Sequence, residues 1–273
     1  MSRERILLQR RDAVALLTLN RPERRNALDA RTLDEIDAAL AEVESDDSLR
    51  VLVVTGAGET FSSGFDLKEQ LESAPRGVEQ WRPILAHDLS TVMRFWSFPK
   101  PTIAAVRGHC LAGACELALA CDLTIAADDA VFGEPELKFG AGIVVLILPW
   151  LAGPKAAKEL IFTGDEFSAT RALELGLVNR LVPAGRVLED SLALAARIAV
   201  VDPALVKATK RAINRAYEIM GLGQALDEAL AIDLEIEGHG SIDKQRFMEI
   251  ARRDGLRAAI AWRDARFAEP ADG

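Results

Sequence analysis

Two spacings of apolar residues divide the first half of the chain into predicted strands and helices. Residues 6–9 and 14–19 predict two strands joined by a tight turn. A 3-4-3 apolar spacing from Leu33 to Val43 predicts a helix that Asp29 caps. The pattern further predicts strands at 51–55, 102–106 and 122–126, a short strand running into a turn at 130–136, a helix at 81–96 and an irregular stretch at 71–77.

From Pro154 onward the spacing becomes almost entirely helical. Helices are predicted at 155–162, between a Ser168 cap and Gly176, and at 186–200, 203–217, 222–238, 243–253 and 256–267, with one strand at 177–182. The change near Val201 predicts an α/β core at 1–200 and a helical C-terminal region at 201–273. Helices that follow an α/β core often serve assembly.

Composition and charge narrow the class of protein. The 273 residues are 49% hydrophobic and carry a net charge of −9, which argues against nucleic acid as a partner. The longest apolar run, 143–152, is too short to cross a membrane, and the N-terminus has no signal-peptide pattern. Cys110, Cys115 and Cys121 fall in one apolar stretch and predict core thiols, not a metal site. We therefore expect a cytoplasmic protein.

One carboxylate interrupts the small, apolar run that follows Gly113. Glu116 lies three residues into a predicted helix, where an unpaired carboxylate costs free energy or shifts its pKa upward. If Gly113 opens that helix, its N–H has no partner within the helix and could bind a developing oxyanion. An ordinary capping arrangement explains the same pattern, so both interpretations stay open here.

Two further turns carry candidate chemistry. Residues 61–68 form a turn whose backbone amides could point outward together, although a simple loop anchored by Phe61 also fits. Glu134 and Glu136 suit a solvated turn when taken alone. However, Glu116 and Glu136 are two strand–helix units apart, so both could lie at the same sheet edge, where α/β sheets bind ligands.

Taken in order, several segments resemble the enoyl-CoA hydratase/isomerase (crotonase) family. They are Leu19-Asn20-Arg21-Pro22, Asn26-Ala27-Leu28, 61–68, 101–106, 113–118, Cys121-Asp122, 132–136, Thr163-Gly164 and 176–178. The resemblance spans nearly the whole chain. It implies a crotonase-like (ClpP/crotonase) α/β spiral of ββα units and a helical C-terminal region that builds homotrimers, commonly paired into hexamers. It also implies an acyl-CoA thioester substrate, with coenzyme A as part of the substrate and neither a separate cofactor nor a metal.

The resemblance also assigns roles to particular residues. The backbone N–H groups of Phe65 and Gly113 would form the oxyanion hole for the thioester oxygen. Glu116 would position and deprotonate water and Glu136 would donate a proton, although the two roles could be reversed. For coenzyme A, backbone groups at Ser63, Asp66 and Leu67 would meet the adenine end. Further contacts would come from Ala27 and, near the phosphates, from Arg24, Arg25 and Lys68, for which plain surface charge is the alternative.

Two features depart from the family pattern. Asp264 stands where a lysine is often found, beside the matching Arg263 and Phe267. Residues 143–150 replace a glycine-rich run with an apolar one, which indicates either a buried helix that merely packs or a drier, reshaped acyl pocket.

Three functions remain open at this point. The first is a 2-enoyl-CoA hydratase, a hydro-lyase of the EC 4.2.1.17 type. The second is another reaction through the same enolate, such as double-bond isomerisation, decarboxylation or thioester hydrolysis. The third is a non-catalytic acyl-CoA-binding protein. His87, His109 and His239 are expected to be structural or at the surface.

Overall fold

The computed structural model describes residues 3–268, which form two β-sheets surrounded by helices. The strands are β1 (Ile6–Arg11), β2 (Val14–Leu19), β3 (Val51–Gly56), β4 (Thr102–Val106), β5 (His109–Leu111), β6 (Leu123–Ala127), β7 (Val131–Gly133), β8 (Phe167–Ser168) and β9 (Arg180–Val182). The larger sheet has the order β1-β2-β3-β4-β6-β9, and the smaller one the order β5-β7-β8. Only the β1–β2 and β7–β8 pairs among these strands are antiparallel.

Twelve α-helices occur within the described residues. They are α1 (Ala30–Ser45), α2 (Leu67–Ser73), α3 (Gly77–Ser97), α4 (Gly113–Ala120), α5 (Leu148–Ala152), α6 (Pro154–Thr163), α7 (Ala169–Glu174), α8 (Val187–Ala199), α9 (Pro203–Ile219), α10 (Leu222–His239), α11 (Ile242–Asp254) and α12 (Leu256–Phe267). Short 3-10 helices occupy Pro22–Arg24, Glu136–Phe139 and Ala184–Arg186. None of the helices in 3–268 is long and apolar enough to cross a membrane.

Successive turns of the chain contribute one strand to each sheet. β4 enters the large sheet, β5 the small one, and α4 completes the turn; β6 and β7 repeat the step. Ser62 pairs with Cys110 in an isolated bridge, so the turn after β3 also reaches the small sheet. This is the spiral of ββα units that the resemblance implied. It brings the ends of β5, β7 and the 61–65 turn to one edge.

The core lies between the large sheet and the helices that cover it. α1 and α3 pack together, α8 packs against β3, β4 and β6, and α10 runs along α3. Strands β3 and β4 are almost fully buried, as expected for a sheet covered on both faces. The contact between α3 and α10 joins the C-terminal helices to the α/β core. The boundary between the two regions at residue 201 stays a prediction.

Two local predictions need correction. The stretch 71–77 is not wholly irregular, because α2 continues through Ser73. Asp66 caps this helix by accepting hydrogen bonds from the backbone N–H groups of Lys68 and Glu69, a signal that apolar spacing does not carry. The buried-helix interpretation of 143–150 is also wrong for residues 143–147, since helix α5 begins only at Leu148.

Candidate active site

A cleft of about 1040 Å³ opens between the edge of the small sheet, α3 and the C-terminal helix α12. One end is lined by the 3-10 helix at Pro22–Arg24 and the 63–68 turn. The other end is lined by Trp81, Leu85 and Asp88 of α3, together with residues of the 141–144 segment. The cleft therefore runs from a polar, arginine-rich mouth to a mostly apolar inner end.

Two backbone amides come together in adjoining turns at the wall of this cleft, which Phe65 and Ala112 line. The N–H groups of Phe65 and Gly113 donate to no acceptor within residues 3–268. A Cβ atom built on Gly64 would lie 3.1 Å from the Gly113 nitrogen, so the two turns are in contact. Gly113 opens α4, which adds the positive end of the helix dipole. This pair of free donors can bind an oxyanion.

The surrounding backbone holds these amides in place. Ala112 has φ 54° and ψ −137°, a conformation that costs a non-glycine residue about 1–3 kcal/mol. Its N–H donates to the carbonyl of Gly133 at 2.8 Å, which ties the turn to β7. On the other side, Leu28 accepts from the Asp66 N–H and donates to the Gly64 carbonyl, so Phe65 is fixed between two hydrogen bonds.

The ring of Phe65 leaves no room for a side chain at Gly113. A Cβ atom at this position would overlap the ring of Phe65, which packs directly over the glycine. The contact joins the two amide-bearing turns through a side chain as well as through the backbone. Any larger residue at 113 would have to push this ring aside.

Three carboxyl groups converge beside the amides. Glu116 lies in the first turn of α4, Glu136 begins the 3-10 helix, and Glu134 follows β7. Each offers an oxygen atom within 4.8 Å of the others. The interpretation of 134 and 136 as a solvated turn is wrong, because Glu134 is only 1% exposed and Glu136 lines the cleft.

Burial dominates the electrostatics of this cluster. It raises the pKa of Glu116 to about 8, opposed by a hydrogen bond from the Val145 N–H at 2.9 Å. The pKa values of Glu134 and Glu136 lie well above the ordinary value, first because of burial and then because of neighbouring carboxylates. One oxygen of Glu116, one of Glu136 and both of Glu134 accept no hydrogen bond from residues 3–268.

The carboxylate spacing alone would suit a divalent cation. However, metal ligation requires deprotonated carboxylates, and burial favours the neutral form of all three groups. With their protons retained, these groups suit proton transfer.

The residues expected to contact coenzyme A all line the outer half of the cleft. They are Arg24, Arg25, Ala27, Ser63, Asp66, Leu67 and Lys68. Arg25 adopts a left-handed conformation, and its carbonyl accepts from the Ser63 N–H at 3.0 Å, so the two loops are joined. On the opposite wall, Arg263 pairs with Asp264 and lies 4.3 Å from the centre of the Phe139 ring.

Sequence reasoning gave no role to the buried residue that joins these loops. The Arg21 guanidinium donates to the Ala27 carbonyl at 2.6 Å and pairs with Asp29 at 3.1 Å and Asp66 at 3.0 Å. Only the run Asn20-Arg21-Pro22 within the family resemblance could have singled it out. Its contacts fix Asp66, the residue that also caps α2.

The inner end of the cleft contains acidic residues that the sequence analysis did not single out. Asp88 and Glu237 line it, and Asp233 is buried behind Gly142. A signal for Asp88 exists, because it falls within the buried stripe of α3 that runs from Trp81 to Phe95. His109 lines the cleft as well, whereas His87 lies outside it near Asp34 and Asp37.

Comparison with known proteins agrees with this fold. The family model for enoyl-CoA hydratase/isomerase matches residues 9–248, and the chain belongs to that family. An enoyl-CoA hydratase/isomerase from Xanthobacter autotrophicus Py2 has a solved structure with a TM-score of 0.97 and 60% identity, covering 98% of this chain and 100% of that one.

Relatives with more specific names are more distant. The short-chain-enoyl-CoA hydratase of Clostridium acetobutylicum is 36% identical over 87% of this chain and 90% of its own length. The crotonyl-CoA hydratase of Syntrophomonas wolfei is 34% identical over 98% of this chain and 99% of its own length. These similarities support an enoyl-CoA hydratase class of enzyme acting on acyl-CoA.

Proposed function

We propose that the protein adds water across the 2,3 double bond of a 2-enoyl-CoA thioester. The observation that carries the proposal is that two free backbone amides, Phe65 and Gly113, lie in adjoining turns, with Glu116 in the first turn of the helix that Gly113 opens. An oxygen of Glu136, which lines the cleft, lies within 4.8 Å of one of Glu116. An oxyanion site next to an acid and a base is what hydration through an enolate requires.

The proposed reaction divides into two proton transfers. Glu116, as carboxylate, takes a proton from water while the water oxygen bonds to C3. The electrons of the double bond move toward the thioester oxygen, whose negative charge the N–H groups of Phe65 and Gly113 stabilise. Glu136 then gives its proton to C2, which restores the thioester carbonyl. A proton passed from Glu116 to Glu136 resets the pair, whose oxygens lie within 4.8 Å.

The environments of the two glutamates favour this assignment over the reverse. The Val145 N–H donates to Glu116 and stabilises its ionised form, so Glu116 is the better base. Glu136 has a pKa well above the ordinary value because of burial and the nearby Glu116 charge, so it keeps a proton to donate. Two carboxyl groups with separated proton affinities suit an acid and a base.

We further propose that the outer half of the cleft binds the nucleotide end of coenzyme A. Arg24, Arg25 and Lys68 would face its phosphates. Backbone groups of Ser63, Asp66 and Leu67, together with Ala27, would contact its adenine end.

Exposed apolar residues on α9 and α10, among them Leu205, Ile213 and Ile232, support assembly into a homotrimer or hexamer. Light scattering of the purified protein tests the oligomeric state.

The decisive experiment follows the loss of enoyl thioester absorbance with crotonyl-CoA. We expect turnover by the unaltered protein and its collapse, by about 100-fold or more, in both Glu116→Gln and Glu136→Gln. Glu159→Gln, at an exposed position on α6, is the matched control and should leave the rate unchanged. If Glu116→Gln retained most of its activity, an isomerase with a single proton shuttle at Glu136 would replace the hydratase.

A further inference from the structure

The inner end of the cleft contains a carboxyl group for which the proposed hydration has no use. Asp88 lies on α3 between Leu85 and Val92, within the helix's buried stripe, and is 6% exposed. It lines the cleft, and it accepts no hydrogen bond from any group in the described chain. A carboxyl group kept in the core for structural reasons would have donors around it.

The surroundings of Asp88 leave it facing the space that an acyl chain would fill. Trp81 and Leu85 from the same helix line this part of the cleft, with Val144 and Gly142 across from them. Thr91, three residues further along α3, donates to Asp37, away from the cleft. An unsubstituted hydrocarbon chain at this position would bury Asp88 with no polar partner, which costs free energy.

The charges nearby decide what kind of partner fits. Glu116 and Asp233 are close enough to raise the pKa of Asp88, although burial is the largest cause. The nearby cation, Lys244, is paired with Glu237 and rests 4.4 Å from the centre of the Trp81 ring. A carboxylate at the end of an acyl chain would add another acidic group to this cluster, so it fits poorly here. A neutral hydrogen-bond donor suits a desolvated carboxyl group without bringing another charge into the core.

We propose that Asp88 binds a hydroxyl group on the acyl chain, so that the preferred substrates are hydroxylated acyl-CoA thioesters instead of plain fatty acyl-CoAs. The proposal rests on the proposed function only in placing an acyl-CoA in this cleft. It makes Asp88 a specificity-determining residue that contacts the substrate away from the reacting carbons. Leu85, Trp81 and Val144 would then enclose the chain between the thioester and the hydroxyl.

Binding of saturated thioesters tests this without requiring turnover. Calorimetry would compare butanoyl-, hexanoyl- and octanoyl-CoA with their ω-hydroxylated counterparts. We expect the hydroxylated member of at least one pair to bind about tenfold more tightly. Asp88→Leu should abolish that preference, because the hydroxyl then meets only carbon, whereas Asp88→Asn should retain part of it. Each unsubstituted thioester reports whether a variant remains folded and able to bind.

Glu79→Leu is the matched control, an exposed acidic residue on α3 that does not line the cleft. The Glu79→Leu variant should prefer the hydroxylated thioesters as strongly as the unaltered protein does. Equal binding within every pair, or a preference that survives Asp88→Leu, would overturn the proposal. Tighter binding of ω-aminohexanoyl-CoA than of the hydroxylated form would overturn the choice of a neutral donor. Crotonyl-CoA turnover is scored separately, so failure of the hydratase assignment is distinguishable from failure of this one.

Discussion

The backbone N–H of Val145 donates a 2.9 Å hydrogen bond to Oε1 of Glu116, across 29 positions of sequence. Val145 belongs to the apolar segment that departs from the family pattern. The segment is neither a helix nor simple packing, because it supplies the donor that stabilises the Glu116 carboxylate, and Val144 lines the cleft. A run without a single polar side chain thus serves the site through its backbone.

The first prediction concerns the pH dependence of the unaltered protein. If Glu116 is the base, it must be ionised, and its pKa is raised to about 8. The kcat/KM for crotonyl-CoA should therefore rise with pH up to about 8. Initial rates between pH 5 and 10 measure this. A rate that declines steadily above pH 6 would contradict the assignment.

Removing the Val145 donor should move that profile. Val145→Pro lacks the N–H, and a hydrogen bond to a charged group contributes about 1.5–3 kcal/mol, or roughly one to two pH units. We expect the rising limb of kcat/KM to move to higher pH by about that amount. Val145→Ala keeps the N–H and is the control. An unmoved limb in a Val145→Pro protein that still binds acyl-CoA would rule out this role for the backbone.

Buried Glu116 should also make stability depend on pH. Its folded pKa of about 8 exceeds the unfolded value, so the folded state holds the proton more tightly. The resulting stabilisation is present at low pH and is lost as pH rises toward about 8. The Glu116→Gln variant cannot ionise at this position and does not lose this stabilisation. As the pH rises, its free energy of unfolding should therefore increase relative to that of the unaltered protein, by up to about 1.4 kcal/mol per pH unit. Urea unfolding at pH 5, 6, 7 and 8 measures the gain, with Glu159→Gln as the flat control.

The contact between Gly113 and Phe65 predicts a strong effect from one methyl group. In Gly113→Ala the new Cβ overlaps the Phe65 ring, so we expect the ring to be pushed aside and the two amide-bearing turns to separate. Loss of one such donor costs about 100-fold or more in kcat. Gly185→Ala is the control, because a Cβ there meets nothing within 4 Å. Full activity in Gly113→Ala would mean that the Phe65 ring turns aside and leaves both turns in place.

Arg21 should matter for both stability and coenzyme A binding. Arg21→Leu leaves the buried carboxylates of Asp29 and Asp66 without their shared partner, a loss of about 3–5 kcal/mol. The comparable change Arg3→Leu breaks only a surface pair with Glu42 and should cost less than about 1 kcal/mol. Urea unfolding compares the two. Where Arg21→Leu still folds, KM for the thioester should rise more than kcat falls, because Asp66 and Ala27 line the coenzyme end.

Local pattern was sufficient for most elements of this fold. The alternation of apolar runs and helical spacing placed the strands of the large sheet and the helices from Pro154 onward within a few residues of their observed limits. It missed α2, because a short helix set by the Asp66 cap has too few apolar positions to show a period. The pattern also predicted too long a last strand, at 177–182, whereas only Arg180–Val182 pairs in the sheet.

The sequence by itself indicated that Gly113 could open a helix and that Glu116 interrupts an apolar run, because both follow from neighbours within one turn. It also indicated that Glu136 could reach the same edge, through the regular repeat of strand–helix units. Only the tertiary structure decided that Glu134 is buried, that Val145 donates to Glu116 and that Asp88 faces the cleft without a partner. Burial and pairing of a polar group depend on segments distant in sequence, and no local pattern records where those segments meet.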